Sequence, residues 1–173
     1  RRRHHHMDEG LLKMGYGITT VGKFTRIRDV TLSTDTSAYA NGDLLADTQS
    51  IDAFFKDVDG TGLIQSVALI DTDDQTLYSF SVWFLDGSGS LGTENSAPSA
   101  TDAVCLTVLA KVDFATTDGL ELGGSKVYSK TGLSIPVKAI AGTDDLGVAV
   151  VVTTGTPTHT ASGIKLRIGA ALD

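Results

Sequence analysis

Short stretches of alternating apolar and polar residues, separated by polar turns, run through most of the chain. Val30 and Leu32 alternate with Asp29, Thr31 and Ser33, which predicts a strand over 24–33 with one buried face. Asn41-Gly42 marks a turn in the loop 35–43, and 44–55 reads as a weaker, bulged strand. Leu63, Gln65, Val67 and Leu69 alternate with Ile64, Ser66, Ala68 and Ile70. After the polar turn 71–75, Tyr78, Phe80, Val82 and Phe84 share one face of a strand over 76–85. Together these two segments predict a hairpin. Further strands are expected over 106–114, 127–129, 133–140, 146–153 and 163–170, with Pro136 placing its strand at an edge or bulge. In the last strand Ile164, Leu166 and Ile168 face in, and Lys165 and Arg167 face out.

No helix-length period breaks the series, and a helix signal enters once, as a cap. Ser99-Ala100-Thr101-Asp102 has capping-box spacing and predicts one short helix. The fold class is therefore all-β: a single antiparallel β-sandwich, jelly-roll-like, of eight or nine short strands. Residues 24–173 form the domain. Residues 14–23 read as an extended N-terminal arm, and residues 1–13 as a tag or disordered leader, with Met7 and Met14 both suited to be native starts.

Composition narrows the function. The net charge is −7; setting aside the first 13 residues leaves ten basic and nineteen acidic groups, a net of −9. Such a body lacks the cationic surface that binds nucleic acid. No apolar run is long enough to span a membrane. The one cysteine, Cys105, lies in the apolar run Ala103-Val104-Cys105-Leu106 and reads as a buried, inert thiol.

Candidate chemistry is sparse. His159, in the turn Thr156-Pro157-Thr158-His159-Thr160, is the histidine to test as a catalytic base; a hydrolase built on it would bring it to a serine or to carboxylates. Gly87-Ser88-Gly89-Ser90-Leu91-Gly92 matches GxGxxG, but no helix opens on the third glycine, so it reads as a flexible loop. Asp57-Val58-Asp59-Gly60 begins like a calcium loop, yet its glycine comes too early and Ala68 stands in the place of the bidentate glutamate. Asp71, Asp73 and Asp74 form a second carboxylate cluster of the kind common in turns. Arg26 and Arg28 flank Ile27 and read as a solvated strand face. No catalytic, cofactor or metal residue is expected, and the chain reads as a non-enzyme that binds and assembles.

Five segments, in order, resemble a family of small virion structural proteins of tailed bacteriophages. They are Val30-Thr31-Leu32-Ser33 with Ala38-Tyr39-Ala40-Asn41-Gly42-Asp43-Leu44-Leu45-Ala46; Gly62 through Asp71; Val82-Trp83-Phe84-Leu85-Asp86; Ser99-Ala100-Thr101-Asp102-Ala103; and Thr153-Thr154-Gly155-Thr156-Pro157-Thr158 with Leu166-Arg167-Ile168-Gly169. His159 departs from the pattern, which has an aromatic there. The resemblance implies a capsid decoration, or cement, protein on the virion exterior, present in host cytoplasm during assembly. Its partners would be the major capsid protein and copies of itself, a trimer for preference, with no nucleic acid, membrane or cofactor. The arm would grip the shell through Tyr16, Ile18, Val21 and Lys23. The alternative is a tail, neck or fibre-associated module, with glycan binding as a role for it.

Overall fold

A computed structural model describes residues 24–173. The arm residues Tyr16, Ile18, Val21 and Lys23 lie outside that range. Nine strands are described: β1 (Phe24–Leu32), β2 (Leu44–Ile51), β3 (Thr61–Asp71), β4 (Ser79–Leu85), β5 (Val108–Phe114), β6 (Gly119–Glu121), β7 (Lys126–Lys138), β8 (Leu146–Thr154) and β9 (Ile164–Leu172). They form two antiparallel sheets, β1-β9-β3-β7-β6 and β2-β8-β4-β5. Leaving aside the three-residue β6, this is the strand order of a jelly roll, in which successive strands mostly alternate between sheets.

That order overturns the expected hairpin. β3 pairs with β7 and β9, whereas β4 pairs with β5 and β8. The polar turn after β3 carries the chain across to the other sheet. The aromatic face of β4 is nonetheless core, as its alternation predicts. Phe80 stacks on Phe114 at 4.8 Å and meets Tyr128 of the opposite sheet edge-on at 4.9 Å. Leu32, Ile64, Val67, Leu69, Leu166 and Ile168 fill the interface from the five-stranded sheet. Burying such side chains contributes about 1.5–3 kcal/mol each.

One phase error, in β3, and one misread pair of side chains, in β1, have local causes. In β3 the register shifts between Ile64 and Ser66 against both neighbours, so the buried set is Ile64, Val67, Leu69 and Asp71 rather than one unbroken alternation. A bulge adds one residue and flips the face of everything after it. In β1 the inward phase is Arg26, Arg28, Val30 and Leu32, and Ile27 stands 68% exposed. The two arginines are not a solvated face. They donate to backbone carbonyls at the turn after β2: Arg26 to Ala53, Phe54 and Phe55, and Arg28 to Ala53.

The expected strands over 127–129 and 133–140 are one strand, β7, continuous through Gly132 at φ +71°. Pro136 sits opposite Leu63 on a stretch of β7 that β6 does not reach, an edge as expected. The short helix is a single turn, Asp102–Cys105, with Thr101 rather than Ser99 as its N-cap. The loop before it is packed, not flexible. Leu91 joins Leu44, Leu85 and Ala149 in a small second core on the outer face of the four-stranded sheet, and its N–H donates to Asp47 at 2.7 Å. Cys105 is exposed, contrary to expectation, because the helical turn holds its apolar run at the surface, where Leu106 is 86% exposed.

Candidate functional site

At one end of the sandwich the turn that follows β3 meets the loop that precedes β9, residues 155–163. Each supplies polar side chains to a buried cluster. Asp71, the last residue of β3, is completely buried because the bulge puts it on the inward phase. Its carboxylate accepts the N–H of Asp73 at 2.8 Å and that of Gln75 at 3.3 Å, which closes the turn. Asp73 reaches across the gap: Oδ2 accepts the Thr160 N–H at 2.8 Å and Oδ1 its hydroxyl at 2.9 Å. Any side chain at Gly163 would collide with that carboxylate, so glycine is required by close approach.

His159 sits between them with its side chain fully buried. Nε2 is 3.1 Å from the Tyr78 hydroxyl. Nδ1 lies 3.6 Å from Asp71 Oδ1 and 3.4 Å from Asp73 Oδ2, and forms a hydrogen bond with neither. Burial raises the Asp71 carboxyl above its ordinary value, against the pull of His159. Burial likewise lowers the His159 imidazole, against the pull of Asp71 and Asp73. Tyr78 is held protonated for the same reason. Outside the cluster a surface hollow of about 450 Å³ is lined by Thr36, Asp73, Gln75, Thr158, His159 and Thr160.

His159 does meet carboxylates, as a hydrolase would require. Among the described residues, however, no serine, threonine or cysteine side chain bonds to it, and both ring nitrogens face protein groups. A general base must reach the proton it takes, and this ring is sealed from the hollow. The other carboxylates do not converge. Asp59 accepts the Gly142 N–H at 2.6 Å, Asp57 lies 3.8 Å from Lys56, and Asp74 bonds Lys126 at 2.6 Å. Among the described residues, Asp71, Asp73 and His159 are the one group arranged as metal ligands are.

No family model matches the chain, and none of the curated proteins does. One solved structure, a marine algae virus of the order Picornavirales, contains a chain aligned with 12% identity over 87% of this chain and 69% of that one. The TM-score is 0.26, and a likeness that low carries no argument.

The opposite end of the sandwich holds a larger groove, about 680 Å³, lined in part by Gly62, Leu63, Leu109, Pro136, Val137 and Leu172. Phe24, where the described chain begins, pairs with Leu172 beside it. Large apolar side chains also stand free at the tip of the β6–β7 ribbon, where Leu120 and Leu122 are 63% and 62% exposed.

Proposed function

We propose that this protein is a non-enzymatic structural component of a virus particle, a capsid decoration protein that binds the assembled shell from outside. The observation that carries the reading is the contrast between its interior and its surface. The polar cluster at His159 is sealed, while Leu106, Leu120 and Leu122 project from loop and ribbon tips. Buried polar groups with no access serve the fold; exposed apolar side chains on projecting elements suit contacts with other chains. The jelly roll is an architecture that capsid proteins use, among others. The order of sequence motifs resembling tailed-phage virion proteins supports the same reading.

The partners are the major capsid protein and further copies of this chain, arranged as a trimer around a symmetry axis. Residues 14–23, with Tyr16, Ile18, Val21 and Lys23, form the shell-gripping arm. β1, which follows them in the chain, begins with Phe24 paired to Leu172 of the apolar groove. Assembly begins in host cytoplasm and ends on the capsid exterior.

Copy number on purified particles tests this. Hundreds of copies on the shell lattice support decoration. A dozen or fewer would move the protein to the tail or neck, and absence from particles would end the structural reading. A chain lacking residues 14–23 folds but does not bind shells; full binding by that deletion would remove the arm from the account.

A further inference from the structure

The charge arrangement around His159 is unbalanced. Asp71 and Asp73 form no ion pair with a lysine or arginine among the described residues, and both aim an oxygen at the same imidazole nitrogen. With the Nε2 proton donated to the Tyr78 hydroxyl, the Nδ1 lone pair points at two carboxylates. Such an arrangement repels itself unless something positive stands at its centre. A proton on Nδ1 would draw one oxygen to about 2.7–2.9 Å. Instead both oxygens stand back by similar amounts, 3.6 and 3.4 Å. Ligands held about 2.0–2.2 Å from a tetrahedral ion lie about 3.4 Å from one another.

We propose that Asp71, Asp73 and His159 Nδ1 bind a divalent transition-metal ion, with zinc as the reference ion. Calcium is the poorer fit, because it takes six to eight oxygens and no imidazole. The surrounding contacts suit a metal centre. Tyr78 orients the imidazole through its far nitrogen, and the backbone amides of Asp73, Gln75 and Thr160 orient the carboxylates. The ion would join the turn after β3 to the loop before β9. It would therefore stabilise the fold rather than act on a substrate.

The test uses the full chain with His4→Ala, His5→Ala and His6→Ala, so that the terminal imidazoles do not compete. Calorimetric titration with Zn²⁺ is expected to saturate at one ion per chain, and Co²⁺ to give the visible absorption of a low-coordinate site. The melting temperature should climb with Zn²⁺ concentration, as for any ligand that binds only the folded state. Asp73→Asn keeps an oxygen for the Thr160 N–H and so should stay folded, yet weaken Zn²⁺ binding at least tenfold. His159→Gln should do the same and remove the Co²⁺ spectrum. No saturable uptake by the folded protein at millimolar Zn²⁺ would overturn the proposal. So would equal affinity in the Asp73→Asn variant.

Discussion

Tyr128 lies on β7 in the five-stranded sheet, and its hydroxyl accepts the backbone N–H of Tyr78, at the start of the other sheet, at 2.8 Å. Both residues are buried. Tyr128→Phe removes one oxygen and keeps the ring that packs against Phe80 at 4.9 Å and Tyr78 at 5.9 Å. What remains is an unpaired backbone donor with no route to water. A buried orphan of this kind costs about 1–3 kcal/mol. For a domain of this size each kcal/mol lowers Tm by about 2–4 °C, so the variant should melt about 2–12 °C below the parent. Thr61→Val is the control. Its hydroxyl donates to the Asp173 carboxylate at 2.7 Å at an exposed site, where water can replace the lost partner. That variant should change stability by about 0.5 kcal/mol or less. Urea unfolding, read as a midpoint shift at constant slope, measures both. A Tyr128→Phe loss under about 0.5 kcal/mol, or one smaller than that of Thr61→Val, would refute the argument that the cross-sheet bond matters because it is sealed.

Three further outcomes follow from the same structure. Tyr39, Tyr78 and Tyr128 all have phenols pushed above 10 by burial, Tyr39 to about 12. The folded state therefore holds protons that the unfolded state releases, and stability present below pH 10 is lost as pH rises from about 10 towards 12; ultraviolet titration showing all four tyrosines ionising near 10 in the folded protein would contradict this. Cys105 should react with one equivalent of a disulfide reagent without denaturant, since its thiol is exposed, and protection in the native state would show that the helical turn is packed away. Gly155→Ala should destabilise by about 1 kcal/mol or more, because Gly155 has φ +118° and a new Cβ would lie 2.6 Å from that of Tyr78. Urea unfolding checks the last.

The strands with unbroken alternation, β4 and β9, were legible with their faces, because period-two patterning survives wherever no residue is inserted. β3 shows the limit. In Leu63-Ile64-Gln65-Ser66-Val67-Ala68-Leu69-Ile70 either phase can be read as the buried one, and nothing in the letters places a bulge at Gln65. Sheet partnership was less accessible still. Two adjacent apolar strands around a polar turn read as a hairpin, while the jelly roll sends them to opposite layers. The cluster at His159 was half visible. The acidic turn and the lone histidine of the domain could each be picked out, but their meeting depends on β3 and β9 being neighbours, which is a property of topology. Cys105 was misread because a four-residue apolar run looks the same whether a helical turn buries it or holds it outward.

The pairing of β1 with β9 has a kinetic consequence. Residues 24–32 find their hydrogen-bonding partners at 164–172, so β1 leaves the ribosome long before the strand it pairs with. Until then β3 also lacks one of its two neighbours, and the five-stranded sheet cannot close. Contacts this distant in sequence make folding slow and leave strand edges open meanwhile. Newly made chains should therefore pass through a window in which one layer of the sandwich offers unpaired backbone to any strand nearby, another copy's included.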